Sequence, residues 1–365
     1  MNILRSLASL LVKLACMLMV LTPATVLASD HADPVDPLMF RPQEPGITGL
    51  FMFPSGERME LVLTVRRGLT KSGPYDLSPY TYTINFDLHS EVTRDNPQDV
   101  ARYGGTVSKP GKIASDASIT LTLKDDASLN DSKVLGLRNA ADVKVTAGVY
   151  DDPFIFPNFF GTNVIAMVVS IPMDAFPPNQ DTWLVWATSN EEGTQLDHVG
   201  RAQRTMLPRF DSLNTLHPSE HVAALKERHE SPGVVDDLAR FILSPLFALR
   251  QYDFAPDVMI YTNKAPAGYP NGRRLSDDVA DLGCRYGDCL LYELSFSNDK
   301  SWPRKSDNDK TFETSFPWLA GPWPDRAPNP DPELTPRTKA ILIIGVLLVL
   351  GFIALPWILL FKRRD

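Results

Sequence analysis

The chain has 365 residues, of which 36 are basic and 44 acidic, giving a net charge of −8 at neutral pH. An acidic surface repels the phosphates of nucleic acids and of anionic lipids, so composition argues against both as electrostatic partners. Apolar residues make up 44% of the chain, which is enough for a sizeable hydrophobic core.

The N-terminus has the layout of a secretory signal. Arg5 and Lys13 precede an apolar run over residues 14–21, and small residues end at Ala28. This pattern predicts a signal peptide over 1–28 with cleavage after Ala28. An uncleaved anchor is the alternative, because Lys13 divides the apolar region.

The C-terminus predicts a membrane span. Residues 340–361 contain no charge and are long enough to cross a hydrocarbon core of about 30 Å as a helix. A basic cluster follows in the tail 362–365, and the positive-inside rule places this tail in the cytoplasm. The predicted exported part then has a net charge of −12.

Between these segments the pattern is mostly that of β-strands. In Tyr80–His89, Tyr82, Ile84, Phe86 and Leu88 alternate with polar residues, as in a half-buried strand. The run 163–171 is almost continuously apolar and predicts a central strand covered on both faces. Further strands are predicted at 58–66, 118–124, 143–150 and 182–188.

The pattern therefore predicts a mainly β fold, an antiparallel β-sandwich or jelly-roll-like domain over 29–321. A small helical insertion is predicted at about 218–250, where proline precedes and follows a helical run. Six prolines in residues 322–336 predict a Pro-rich stalk over 322–339. A strap lying over the domain is the alternative for that segment.

Cysteine usage agrees with export. Cys16 falls in the predicted signal, so the mature chain keeps Cys284 and Cys289. In an oxidising compartment a pair spaced four apart predicts a disulfide. A redox pair is more often spaced C-x-x-C, and a zinc site needs further ligands.

The sequence lacks the common catalytic signatures. It contains no Gly-x-Ser-x-Gly elbow, P-loop, dinucleotide-binding glycine motif or haem-attachment motif. His217 and His221 are spaced i,i+4, but Pro218 follows His217, which favours a solvated helix face over a zinc helix. Residues 307–309 similarly predict a solvated turn, because an EF-hand glycine and glutamate are missing.

Side-chain oxygens that could bind a metal ion are more abundant than histidine or cysteine ligands. Carboxylates are the ligands that calcium prefers, and they cluster in three segments near residues 30–36, 151–152 and 277–281. We predict a calcium-like cation site that clamps these segments. Its predicted donors are Asp33, Asp36, Asp152, Asp277 and Asp278. His31, Asn271 and Arg273 are predicted to support it, with Asn271 shaping a turn.

The block 271–281 also has a purely structural interpretation. Ser276 can cap a helix whose first turn holds Asp277 and Asp278, where carboxylates favour the positive dipole end. Asn271-Gly272 can be an ordinary turn, and Arg273 can pair with a nearby carboxylate. The residue types alone leave both interpretations open.

The order of these segments resembles the bacterial domain-of-unknown-function family 4331 (DUF4331). The matching segments are 29–40, 151–154, 161–172, 185–189, 197–202, 269–281 and 316–323. The resemblance implies an exported protein, and it implies that the acidic segments meet in space. It adds no reaction.

Several positions depart from the family pattern. The Ser-His-Arg-Glu-Ala-Pro opening of the family is replaced by Ser29–Pro34, His198 stands where the family tends to have Arg, and Trp323 where it tends to have His. The C-terminal anchor is not typical of the family either.

The sequence predicts a single-pass protein of the bacterial cytoplasmic membrane, with its large domain in the periplasm or outside the cell. A binding or scaffolding role is favoured because no catalytic constellation is complete. Two alternatives remain: a metal-dependent envelope enzyme with His31 as base, and an accessory subunit of a membrane-protein complex.

Overall fold

The computed structural model describes residues 45–156, 159–204, 208–231, 253–285 and 307–327, together with residue 343. These residues form two large antiparallel sheets, a small two-stranded sheet of β4 and β5, and a few short helices. The strands are β1 (Ile47–Ser55), β2 (Arg58–Leu69), β3 (Tyr80–Asp87), β4 (Val92–Thr93), β5 (Thr106–Val107), β6 (Ala117–Leu123), β7 (Leu129–Leu135), β8 (Lys144–Asp151), β9 (Asn163–Pro172), β10 (Thr182–Glu191), β11 (Thr194–Val199) and β12 (Met259–Thr262).

The first sheet has four strands in the order β1-β2-β9-β8. Its central strand β9 is buried along almost its whole length, as the apolar run predicted. Alternate residues of β9 point to opposite faces of the sheet. Ile165, Met167 and Val169 join the main core, whereas Ala166 and Val168 pack against residues from the C-terminal part of the chain.

The second sheet has the order β11-β10-β3-β6-β7, with β12 paired to β10. In β3, Tyr82, Ile84 and Phe86 are fully buried in the main core. Thr83 and Asn85 point the other way and are half-buried. The alternation predicted for this strand is confirmed.

The main core lies between the two sheets and draws on strands of both. The backbone NH of Ile47, on β1, donates a hydrogen bond of 2.9 Å to the buried carboxylate of Asp197, on β11. This bond joins one sheet to the other at an edge. The mainly β, sandwich-like fold is therefore confirmed for the described residues.

Three α-helices of the described residues lie outside the sheets. They are α1 (Pro97–Tyr103), α2 (Pro218–Glu230) and α3 (Val279–Arg285). Helix α2 begins with a capping box, in which His217 accepts from Ser219 and Glu220 accepts from the NH of His217. It confirms the first part of the predicted insertion, and residues 232–250 lie outside the described residues.

Part of the outer face of each sheet is covered by other segments of the chain. Leu184 and Trp186 of β10 pack against Val107, Val258 and Ile260. On the first sheet, Phe51 and Val62 pack against Leu275 and Leu319. The segment after β12 therefore returns across the first sheet and completes its burial.

Residues 307–327, which we call the C-terminal segment, lie against the domain. Trp323 and Asn163 exchange two hydrogen bonds of 2.7 and 2.9 Å, and the NH of Arg326 donates to the carbonyl of Thr70. Residues 322–327 therefore form a strap, which was the alternative to the predicted stalk. The rest of that stalk, 328–339, lies outside the described residues.

Within the described ranges no helix combines the length and the apolar character needed to cross a membrane. The predicted span 340–361 lies outside those ranges apart from Ile343, and the predicted signal 1–28 lies outside them entirely.

Candidate functional site

The predicted cation donors that the structure describes are all held by protein groups. Asp152 is buried and its Oδ2 lies 3.0 Å from Nε of Arg67, whose side chain is also fully buried. Its Oδ1 accepts a hydrogen bond from the NH of Phe154. The guanidinium of Arg67 stacks on Phe154 and Phe159. Asp152 therefore lies beside the positive charge of an arginine, and its role as a cation ligand stays a prediction.

Asp277 and Asp278 have separate structural roles. Oδ2 of Asp277 accepts hydrogen bonds of 2.8 and 2.7 Å from the NH groups of Tyr269 and Arg274, which closes a turn. Oδ1 of Asp278 accepts from the NH of Asp281, three residues on, so Asp278 caps helix α3. The helix thus begins two residues later than the predicted cap at Ser276 implied.

Asn271 shapes its turn as predicted. Its side-chain oxygen accepts from the NH of Thr262 at 2.7 Å, and its amide donates to the carbonyls of Thr262, Ala265 and Pro266. One side chain thus ties together the loop that follows β12.

Arg273 is held on strand β1. It is buried with its guanidinium 3.9 Å from the centre of the Phe51 ring, and its backbone pairs with Met52 of β1. Its predicted supporting role at a cation site stays a prediction.

Two of the three acidic segments meet, as the family resemblance implied, but through apolar contacts. Phe154, next to Asp152, packs in one cluster with Val279 and Ala280 of α3. In the part of the chain that the structure describes, no three His, Cys, Asp or Glu side chains are grouped to hold a metal ion. His31, Asp33 and Asp36 lie outside the described residues, so the calcium site stays a prediction.

The predicted disulfide also remains a prediction. Cys284 belongs to helix α3, and Cys289 lies outside the described residues.

Two predictions of solvated groups are wrong. His221 is fully buried inside α2 rather than on a solvated face. Asn308 is half-buried and donates to the carboxylate of Asp151, and Asp309 accepts from the NH of Gly161, so residues 307–309 dock on the domain. Neither the burial of His221 nor the docking of residues 307–309 is visible in the sequence, because each depends on contacts with residues far away along the chain.

The structure brings together a buried cluster of charged groups that was not predicted from the sequence. Its members are His198, Arg201, Arg204, His221, Asp253 and Asp257. They come from the end of β11, from α2 and from the segment before β12. The sequence signal for it was the charged run 197–204, which begins at the end of β11 and continues past it.

Asp257 lies at the centre of this cluster with no exposed surface. Its carboxylate accepts from the NH groups of Gly200 and Arg201 at 3.1 and 2.8 Å. A Cβ on Gly200 would lie 2.3 Å from the carbonyl oxygen of Asp257, so glycine is required for this approach. Burial alone would raise the pKa of Asp257, but the neighbouring charges of His198 and Arg201 outweigh it and lower this pKa.

The two histidines hold Asp257 from either side. Nε2 of His198 donates to the Asp257 carbonyl at 2.7 Å, and the Asp257 NH donates to Nδ1 of His221 at 3.1 Å. Nε2 of His221 in turn lies 3.1 Å from the Leu216 carbonyl. Burial, together with nearby His198, lowers the pKa of His221 to about 3, so this ring is neutral at physiological pH.

Asp253 joins the two arginines of the cluster. Its Oδ2 lies 3.3 Å from Arg201 and 3.0 Å from Arg204. Burial would raise its pKa, but the charges of Arg204 and Arg201 prevail and lower it to about 2. Arg201 also stacks on Tyr103 at 4.2 Å, which fixes the guanidinium plane.

An open cleft of about 330 Å³ lies directly over this cluster. Helix α1 lines it with Asp99, Arg102 and Tyr103, and α2 lines it with Val222 and Lys226. Arg201 and Asp253 lie at its base, beside an apolar wall formed by residues that include Phe254, Val258 and Ile260. Its volume falls in the range of small-molecule sites, which begins at about 300 Å³.

The local sequence explains why α1 stands at this cleft. Asn96 caps the helix by accepting from the NH of Gln98, Pro97 occupies the first turn, and Gly104 ends it in the left-handed conformation. These residues fix both ends of a seven-residue helix. Arg102 and Tyr103, in its last turn, line the cleft.

The chain has no match among protein-family models, curated proteins or solved structures. The resemblance to the domain-of-unknown-function family 4331 therefore stays a prediction.

Proposed function

We propose that the chain is a membrane-anchored, extracytoplasmic binding protein whose ligand occupies the cleft between α1, α2 and the segment 253–260. The observation that carries this proposal is the cleft itself, an open space of about 330 Å³ over a base of buried, fixed charges. Its combination of an apolar wall with a few placed polar groups is typical of small-molecule sites. The predicted signal peptide and C-terminal span support the location.

The state of the charged groups favours binding over acid–base catalysis. A general base works best with a pKa near the operating pH. Asp253 has a pKa of about 2 and pairs with two arginines. His221 has a pKa of about 3, and both of its ring nitrogens have hydrogen-bond partners. These groups are therefore suited to fix the geometry and the charge of a binding site.

The proposal is tested by filling the cleft. Val222 lines the cleft from α2, and Ala223 is its exposed neighbour on the same helix. The full chain, extracted in mild detergent, is screened against a library of soluble fragments by ligand-observed NMR. We expect Val222→Trp to abolish the binding of fragments that the wild type binds, and Ala223→Trp to leave it unchanged.

Melting temperatures measured alongside show that both variants remain folded. Fragments that bind equally to the wild type and to both variants would place their site elsewhere and contradict the proposal.

A further inference from the structure

The cleft differs in charge from the chain as a whole. Arg102, Arg201 and Lys226 line it together with Asp99 and Asp253, so cations outnumber carboxylates among its lining residues. The chain as a whole carries −8. Charge of one sign in a cleft concentrates ligands of the opposite sign.

The carboxylates of the cleft are already engaged. Asp99 accepts a hydrogen bond from the hydroxyl of Thr106, and Asp253 is shared between Arg201 and Arg204. Arg102 and Lys226 form no ion pair with any residue in the described ranges. The cations at the mouth of the cleft are therefore the charged groups left for a ligand.

The hydrogen bonding of Arg201 is a further observation that points to a ligand. Its side chain is 9% exposed, and Nη2 alone donates, to Asp253 at 3.3 Å and to the Ala255 carbonyl at 3.5 Å. Its Nη1 and Nε form no hydrogen bond with the residues that the structure describes, although Nε lies 3.9 Å from Oδ1 of Asp257. Buried guanidinium nitrogens are normally satisfied, so this fixed side chain has donors to spare at the base of the cleft.

We infer that the ligand of the cleft is a small organic anion, with a carboxylate or phosphate group on an apolar body. This inference rests on the proposed function and names its ligand class. The anionic group meets Arg102 and Lys226 and hydrogen-bonds to Arg201, whose planar donors match the oxygens of such groups. The apolar body packs against Phe254, Val258 and Ile260.

A second groove offers the opposite chemistry and serves as an internal contrast. It has a volume of about 810 Å³ and lies between the turn 71–75 and the C-terminal segment. Asp125, Asp126 and Asp325 line it together with Lys71. Its carboxylates repel an anion, so an anionic probe distinguishes the two sites.

The test compares three probes of similar size, phenyl phosphate, benzoate and neutral benzyl alcohol, by calorimetric titration of the full chain in detergent. We expect the two anions to bind at least ten times more tightly than benzyl alcohol, and their affinity to fall as salt is added because the charges are screened. Equal affinity for all three probes, lost in Val222→Trp, overturns the anion inference while the proposed function stands.

A second experiment removes one positive charge from the cleft and repeats the titrations. Lys226→Gln should weaken benzoate and phenyl phosphate about tenfold, which is about 1.4 kcal/mol, and leave benzyl alcohol unchanged. Lys133→Gln, on the exposed strand β7, is the matched control and should change nothing. Anion affinity that is the same in both variants and the wild type would show that the cleft does not recognise the charge.

Discussion

At the scale of single residues, the acidic side chains of this protein bind protein groups. Asp152 pairs with Arg67, Asp277 closes a turn and Asp278 caps a helix. Each of these roles supplies an acceptor to backbone NH groups or a negative charge to a buried arginine. Carboxylates next to turns and helix starts are therefore explained here by local hydrogen bonding.

Replacing Asp278 separates a helix cap from a metal ligand. Asp278→Ala should lower the free energy of unfolding by about 1 kcal/mol, because the NH of Asp281 loses its acceptor. Asp278→Ser should retain most of the stability, since serine caps helices equally well but is a poor calcium ligand. Urea unfolding in calcium-containing buffer measures both. An equally large loss in the two variants, reproduced by a chelator in the wild type, would favour the calcium clamp instead.

Gly272 should tolerate no side chain. Its φ is +72°, and a Cβ there would lie 2.6 Å from the carbonyl oxygen of Met52. Gly56 has a similar φ of +56°, and a Cβ added there would meet no atom within 4 Å, so it is the matched control. We expect Gly56→Ala to cost about 1–2 kcal/mol from the left-handed conformation alone.

Gly272→Ala should cost clearly more than that control, because strand β1 must also move. Thermal melts of both variants compare the two losses of stability. Similar losses in the two would mean that the contact with Met52 relaxes freely.

At the scale of elements, the C-terminal segment is attached to the end of β8 through one carboxyl group. Oδ1 of Asp151 accepts from Nε1 of Trp323 at 2.5 Å, and its Oδ2 accepts from the amide of Asn308 at 2.8 Å. Nζ of Lys310 lies over the Trp323 ring at 4.1 Å. Burial and the nearby charge of Asp309 raise the pKa of Asp151 to about 6, although these hydrogen bonds act to lower it.

This raised pKa predicts a pH dependence of stability. Between its usual value of 3.8 and about 6, folded Asp151 holds a proton that the unfolded chain has released. The free energy of unfolding should therefore fall as pH rises through this window, by at most about 1.4 kcal/mol per pH unit from this group. Urea unfolding at several pH values from 4 to 7 measures it.

Asp151→Asn provides the comparison, because the amide does not titrate and keeps an oxygen for Trp323. The difference between wild type and variant should vary with pH across this window and be constant above it. Parallel curves would show that Asp151 has an ordinary pKa.

At the scale of the whole molecule, the chain on the two sides of β12 has two different tasks. The part after β12 packs Leu275 and Leu319 on the outer face of the first sheet. The part before it, residues 253–258, lines the cleft together with α1 and α2.

The orientation of the whole chain in the membrane is also testable. A reporter enzyme that is active only outside the cytoplasm should be active when fused after residue 327 and inactive when fused after residue 365. The reason is the basic cluster at 362–364, which favours the cytoplasmic side. Activity in both fusions would contradict the predicted span.

Much of the β architecture was predictable because its signals are local. The predicted strands correspond to β2, β3, β6, β8, β9 and β10, with ends that differ by a few residues. Alternation of apolar and polar residues arises within one strand, so it is visible in the sequence. Sheet order and strand pairing are not visible, since β2 pairs with β9 across about a hundred residues.

The candidate site was not predictable, because its members are distant in sequence. His198, His221 and Asp257 come from three separate elements, and a histidine inside a helix predicts no buried partner. The acidic segments, in contrast, predict a cation site by their composition. Where the structure describes them, Asp152 lies beside an arginine, Asp277 closes a turn and Asp278 caps a helix. The calcium site itself stays a prediction, because its N-terminal donors lie outside the described residues.

The sequence by itself determined the class of fold and the half-buried and fully buried strands. These follow from hydrophobic periodicity and length, which act along the chain. Only the tertiary structure decided which charges meet: it paired Arg67 with Asp152, enclosed Asp257 between two histidines and placed Arg201 in the lining of a cleft. Charges act over a few ångströms in space, and the chain folds distant residues to within that range.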